Sequence, residues 1–464
     1  MWGLKTPKTC GKTCRTHWQP HTQHSPNPGV DRIFFQHKKE TSMRKIALVG
    51  SLLLAGVLSS GLVHAGKLKV VEVITSPERT KLLQTQLADF QKANPGTTVE
   101  LITIPWDGAF EKVLVMFKSG QIPDVIEMPE RWSALYVKGK QIEALDPWLK
   151  NSKDLASLQK AVREAGKFGG DKTYQIPYGF YMKALFYNKK MLAQAGVQPP
   201  KTHDEFVKAV ETVSTKLPGK YGYCLRGGKG GGFEWITYPT AYGANGAYFD
   251  KDGNSLYSTP AFQKGMQMLV DFYQKGYAPK ESISWGFNEI VTGFYSGTCA
   301  MLQQDADALI GIAEKMDSKD FGVIPVPLSA NGKAYPNTGF AGWAMTSAST
   351  NKDEGWKLIQ HLSANKQNIE WAKLVGVLPV HQGAESDSAF AGEHWAGWFQ
   401  TLKQADKYVQ LTPPVYLPEW GAMYDKTMVE NGQELLLGKR KVADVAKQWS
   451  DTLSAAQHKF DAAK

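Results

Sequence analysis

The sequence predicts an α/β protein built as two lobes. Strand-like and helix-like segments alternate along most of its length, the pattern of largely parallel sheets covered by helices. The alternation comes in two runs, one before and one after Tyr174-Gln-Ile-Pro-Tyr178. About 399 residues lie beyond residue 65, enough for two domains of ordinary size. With 42% hydrophobic and 21% charged residues the composition is that of a folded chain, which excludes disorder, collagen and a disulfide-stapled miniprotein.

The first 65 residues stand apart. Residues 1–42 are rich in Lys, His, Thr and Pro and have no apolar period. Met43-Arg44-Lys45 then opens a basic start, Ile46–Val63 is an apolar run diluted by Gly and Ser, and Val63-His64-Ala65 has the small-x-small form of a cleavage site. These features predict a signal peptide at 43–65, cleaved after Ala65, rather than a retained membrane anchor. Residues 1–42 are then an extension ahead of a true start at Met43. The segment also holds most of the charge: nine Lys and Arg against two Asp and Glu, so a formal +10 leaves only +3 on the remainder. A nucleic-acid-binding surface has no support in so neutral a chain.

Each later element has a local reason. Lys67–Ile74 alternates, with Val71 and Val73 on one side. Thr75-x-x-Glu78 reads as a capping box with Pro77 in the first turn, and Leu83, Leu87 and Phe90 recur at helical spacing until Asn94-Pro-Gly96 stops them. Val99, Leu101 and Thr103 resume a period of two. Ala109–Lys118 and Arg131–Lys138 are predicted helices around a short buried strand, Ile122–Ile126. In the second run Leu185–Tyr187 is strand-like, Lys189–Ala195 is a short helix stopped by Gly196, and a second capping box, Thr202-x-x-Glu205, opens the helix Phe206–Lys216. Gly227–Gly232, glycine at five of six positions, reads as a flexible loop. Helices are predicted at Pro260–Lys275, Asn288–Tyr295, Asp305–Met316, Lys352–Ser363, Lys366–Val375 and Val442–Phe460. Cys224 and Cys299 sit in strand-like runs, and export leaves both a disulfide and two buried thiols open for them.

Motifs for catalysis are missing. His203, His361, His381, His394 and His458 are scattered, with no HExxH and no His/Cys pair at metal spacing, so no metal and no cofactor is expected. No G-x-S-x-G occurs, and the glycine loop fails both the dinucleotide and the P-loop patterns. A carboxylate pair for glycoside hydrolysis leaves no sequence signature, so a secreted carbohydrate-active enzyme stays the alternative of another class. Aromatic residues are the positive signal. Trp356, Trp371 and Trp449 fall at core spacing on helices, whereas Trp106, Trp235, Trp285, Trp343 and Trp420 lie in loop-like stretches near Gly or Pro. Loop indoles on a rigid scaffold suit the apolar face of a sugar ring.

A series of motifs then carries a family resemblance. They are Phe90-x3-Asn94-Pro95, Ser119-Gly120-x2-Pro123-Asp124-Val125, Tyr174-x-Ile-Pro177 leading to Leu185-Phe-Tyr-Asn188, Ala195-Gly196-Val-x-Pro-Pro200-x-Thr202-x-x-Glu205-Phe206, Phe294-x-x-Gly297-x-x-Ala300-Met301 and Gly355-Trp-x-Leu-Ile359 with Trp371-x4-Gly376-x2-Pro379. In this order the chain resembles family 1 of the extracellular solute-binding proteins that serve sugar ABC importers, related to maltose- and glycerol-3-phosphate-binding proteins. The resemblance implies a two-lobed periplasmic binding protein fold with a multi-strand hinge and an interlobe ligand cleft, and no enzyme activity. It places one lobe at 66–178 plus about 338–395 and the other at 179–337 plus about 396–464, with crossings at Tyr174–Gly179 and Pro336–Gly342. It implies a periplasmic monomer that hands a mono- or oligosaccharide or polyol to permease subunits in the inner membrane. Carried over by segment, the expected ligand-binding residues are Glu78, Arg79, Glu127, Phe180, Tyr181, Trp235, Trp285, Asp305, Gly342, Trp343 and Trp420. Glu78 has a competing role as partner of Thr75 in the capping box, and Arg131 and Trp132 follow a Pro at a helix start. Cys224 and Cys299 match cysteines of the glycerol-3-phosphate-binding member, which favours a disulfide and raises that ligand or an acidic sugar as the alternative. Whether Arg79, Arg131 or Lys183 faces the cleft decides between a neutral and an acidic solute.

Overall fold

The computed structural model describes residues 66–243 and 246–463. The signal peptide, its cleavage point and the 1–42 extension lie outside the described residues. The strands are β1 (Gly66–Glu72), β2 (Thr97–Thr103), β3 (Val125–Pro129), β4 (Gln175–Met182), β5 (Ala184–Asn188), β6 (Tyr221–Tyr223), β7 (Cys299–Gln304), β8 (Phe321–Pro325) and β9 (Thr338–Met345). They form two sheets, ordered β2-β1-β3-β9-β4 and β6-β7-β5-β8. Strand β1 pairs on both edges, with β2 and β3, and both faces of the sheet are covered here: Leu68 and Val70 enter one core, Val71 and Val73 another.

The sheets are more mixed than the sequence predicts. β1 runs parallel to β2 and β3, but β9 is antiparallel to β3 and β4, and β5 is antiparallel to β7 and β8. The reason is the route of the chain: β9 re-enters the first sheet from the second rather than through a βαβ crossover, which frees it from the parallel rule. β4 and β9 are the crossing strands, paired from Gln175 with Ala344 to Met182 with Thr338. β4 stays in the first sheet through Met182, four residues beyond the expected boundary, and Lys183 alone separates it from β5. Toward the C-terminus, Glu393 pairs with Lys189 at 3.3 Å, and His394 stacks 4.1 Å from Phe321 of β8, so this stretch packs on the second sheet.

Helix starts follow their caps, with one change. The helix Pro77–Ala93 is capped by Ser76, whose hydroxyl accepts from the Arg79 amide at 3.2 Å, not by Thr75. Pro77 occupies the first turn, and the residue before a proline is held extended, which puts the cap at Ser76. Glu78 is thereby released from a capping box. At the second site Thr202 does cap His203–Lys216, accepting from the Glu205 amide at 3.2 Å.

The Gly227–Gly232 stretch is a packed loop, not a flexible one. A Cβ on Gly232 would lie 2.3 Å from the Tyr424 carbonyl, and Gly230 combines φ of +76° with a Cβ position 2.2 Å from Arg226 Nη2. The glycines let the backbone close on its neighbours. Cys224 and Cys299 are joined in a disulfide with Cα atoms 5.4 Å apart, linking the end of β6 to the start of β7 across 75 residues. Replacing both by Ser is expected to cost about 4 kcal/mol of unfolding free energy in urea. A loss below about 1 kcal/mol would show that the pair constrains the unfolded chain little.

Candidate functional site

A cavity of about 490 Å³ lies between the elements of the two sheets. From the first sheet its wall is the β1 turn and the helix start after it, the Trp106 turn and the end of β3; from the second it is Lys183, the Arg226–Phe233 loop, Phe287 and the end of β7. Glu78, Arg79, Tyr181, Asp305 and Trp420 of the expected set line it.

The other expected residues are brought elsewhere. Glu127 is fully buried behind the wall and accepts from the Val73 and Ile74 amides at 2.8 and 2.9 Å and from the Tyr178 hydroxyl at 2.5 Å. It also pairs with Arg79 Nη2. Phe180 packs on Phe340 with centroids 6.0 Å apart and does not line the cavity. Trp235 is 2% exposed, edge-on to Trp449 and pressed on Gly432, a core ring. Trp285 lies over Gly293 beside the disulfide. Trp343 is buried between Tyr178 and Trp371, and Gly342 is where β9 crosses β4 so closely that a Cβ would sit 2.4 Å from the Ile176 carbonyl. A loop-like sequence does not distinguish an indole that faces a cleft from one that closes a core. Trp420 reaches the cavity wall but has no exposed surface, so it supports Tyr424, 6.3 Å away, and is not itself a platform.

Sequence reasoning passed over several lining residues. Phe287 and Tyr424 are partly exposed rings, which join Trp106, a loop indole that the sequence does point to, and Arg226, Glu130 and Asp307 add charge. None lies in a motif of its own; Arg226 could have been found only as the residue that the glycine loop follows. Trp106 stacks on Trp132 at 5.8 Å, and the Arg131 guanidinium sits 4.9 Å from the Trp106 ring and 4.7 Å from the Tyr424 ring.

The cations that would decide for an acidic solute are committed. Arg79 is paired with Glu127, donates from Nη2 to the Tyr178 hydroxyl oxygen at 2.7 Å and lies 4.6 Å over the Trp371 ring. Arg131 holds Asp425 through two bonds of 2.9 and 3.1 Å. Lys183 donates to Asp305 at 2.5 Å and Gln304 at 2.7 Å. Burial and the Glu127 carboxylate push Glu72, behind Arg79, up to about 7. Burial likewise raises Glu130 to about 7, and it raises Glu234, under the Arg226 loop, to about 8 against the pull of the Arg226 amide and the Tyr223 hydroxyl.

Glu234 gives a signed pH prediction. Its folded value lies above the ordinary 4.5, so its contribution to stability is fully present below pH 4.5 and is lost as pH rises through about 8. Wild type is expected to lose stability relative to Glu234→Gln between pH 5 and 8.5, by roughly a few kcal/mol. Parallel urea-unfolding profiles against pH would contradict this.

No group of three or more His, Cys, Asp or Glu among the described residues could hold a metal ion. Residues 76–369 match the family described as bacterial extracellular solute-binding protein. The chain belongs to that family. The solute-binding chain is 23% identical to the multiple sugar-binding protein of Streptococcus mutans, over 80% of this chain and 92% of that one. It is 24% identical to the diacetylchitobiose-binding protein of Streptomyces coelicolor, over 79% and 84%. The fold matches that of an ABC transporter solute-binding protein from Thermotoga lettingae bound with α-D-tagatose, with a TM-score of 0.74, 18% identity and coverage of 84% of this chain and all of that one. The family is one of binding proteins, not enzymes, that work outside the cytoplasm.

Proposed function

We propose that this solute-binding protein captures a neutral sugar, oligosaccharide or polyol between its lobes and delivers it to the permease subunits of an ABC importer in the inner membrane. On this reading it works in the periplasm as a monomer, exported by cleavage after Ala65. The observation that carries the choice of solute is the charge of the cavity. Seven carboxyl groups and four cations line it, and three of those cations, Arg79, Arg131 and Lys183, are held by Glu127, Asp425 and Asp305. A phosphate or carboxylate would enter a site of the wrong sign. Partly exposed rings and polar groups in the same wall suit a molecule with apolar ring faces and hydroxyl edges.

Capture follows from the architecture. Trp106 and Tyr181 belong to the first sheet's side of the cavity, Asp305 and Phe287 to the second's. A solute touching both stabilises the closed arrangement by its differential affinity for it, and motion is concentrated in the crossings at β4 to β5 and β8 to β9. The closed form is the one a permease distinguishes.

A thermal-shift screen of residues 66–464 tests the assignment. Neutral sugars or polyols are expected to raise the melting temperature, a ligand at a hundred times its Kd adding about 2.7 kcal/mol. No shift with any neutral member would refute the reading, and a shift with glycerol 3-phosphate alone would replace it.

A further inference from the structure

One wall of the cavity carries a hydrogen-bonding deficit of both signs. Arg226 is 6% exposed, and its Nε donates to the Lys229 carbonyl at 2.8 Å. Its Nη2 has no partner, and among the described residues it forms no ion pair. Asp307 faces it electrostatically, yet Asp307 Oδ1 is also without a partner. Beside them Gln304 and Asp305 each give one atom to Lys183 and leave the other, Gln304 Nε2 and Asp305 Oδ1, unpaired. Four residues of one wall therefore hold two unused donors and two unused acceptors. Buried groups left this way cost stability unless a ligand or water completes them, and here all four open into the wall of one cavity.

The guanidinium is fixed in place. Its own amide donates to Glu234 at 3.2 Å, and Gly230 leaves the space that Nη2 occupies. Asp307 is held near Asp305, and burial together with that neighbour pushes it up to about 7. More negative charge at this point is unfavourable.

We propose that Arg226 and Asp307 form a hydroxyl-recognising subsite that takes an uncharged diol end of the solute and rejects a carboxylate or phosphate there. The inference rests on the sugar-or-polyol reading above. A hydroxyl both donates and accepts, so a diol can give protons to the aspartate and accept them from the arginine. A carboxylate or phosphate only accepts. It would satisfy Arg226 while facing the two aspartates, and discrimination by such unpaired groups is large.

The test uses matched pairs at pH 8, where Asp307 is mostly ionised: glucose with gluconate, maltose with maltobionate, mannitol with mannonate. The best-bound neutral member is expected to bind at least about a hundredfold more tightly than its acid. Asp307→Asn should narrow that gap to under about tenfold by improving the acid, and Arg226→Met should weaken the neutral ligand at least about tenfold. Ligand-free melting temperatures check that both variants are folded. An acid bound as tightly as its neutral partner by wild type, or an Asp307→Asn variant that weakens both equally, would overturn the subsite. A neutral ligand that binds while neither variant alters affinity would overturn it and leave the solute assignment intact. If none of these neutral members binds, the pair is made from the neutral solute that raises the melting temperature most and its aldonic acid; if no neutral sugar or polyol of that screen binds, the sugar-or-polyol reading fails and this inference falls with it.

Discussion

Arg79→Met is expected to lower the unfolding free energy by about 3–5 kcal/mol at pH 8. Arg79 is the cation between two carboxyl groups with no exposed surface, Glu72 and Glu127, its Nε 3.7 Å from one and its Nη2 paired with the other. Methionine keeps an unbranched apolar side chain at this position and removes the charge, together with its contact over the Trp371 ring. Glu127 would still accept its backbone amides, but nothing would neutralise it. The loss should shrink toward pH 5, because Glu72, already raised to about 7, is then protonated and contributes no uncompensated charge. Adding Glu127→Gln should recover part of it. A variant within about 1 kcal/mol of wild type at pH 8 would mean that the cluster does not hold the β1 turn in place.

The second large effect separates two tryptophans that look alike in sequence. Trp106→Ala is expected to weaken solute binding roughly thirtyfold, the about 2 kcal/mol of an aromatic anchor, with a smaller effect on stability. Trp106 is partly exposed, lines the cavity and flanks Arg131, so its removal loses a contact face and loosens the charge beside it. Trp235→Ala is expected to do the reverse. It would open a void between Trp449 and Gly432 and cost about 3–5 kcal/mol of stability, with solute affinity per folded molecule little changed. Calorimetric titration with the best solute of the thermal-shift screen, beside urea unfolding of both variants, measures the contrast. Equal losses of affinity would remove the distinction.

Much of the fold was legible because it is local. The helix predicted at Lys189–Ala195 occurs with those bounds, and those at Pro260 and Val442 end within a residue of the spacing that predicts them, since apolar periodicity and caps are written in neighbouring residues. The antiparallel placement of β9 was not legible, because it depends on a return from the other sheet more than 150 residues later. The site divides in the same way. Glu78 and Arg79 open the helix after β1, Tyr181 lies near the end of β4 and Asp305 follows β7, places where segment-by-segment resemblance locates them, and they line the cavity. Trp235 and Trp343 sit in similar contexts but turn inward, and only tertiary packing decides which way an indole faces. Arg226 and Phe287 have no local signal; what marks them is the cavity they share. The glycine loop misled in an instructive way, since the same absence of side chains that permits flexibility also permits the closest packing.

The space between the two sheets is expected to hold a neutral hydroxylated solute. A crystal structure of residues 66–464 with the neutral sugar or polyol that raises the melting temperature most tests it directly. The solute is predicted in the cavity, in contact with Trp106 or Tyr424 on one wall and with Asp305 or Asp307 on the other. A solute bound elsewhere on the surface, or touching one wall alone, would mean that this cavity is not the capture site.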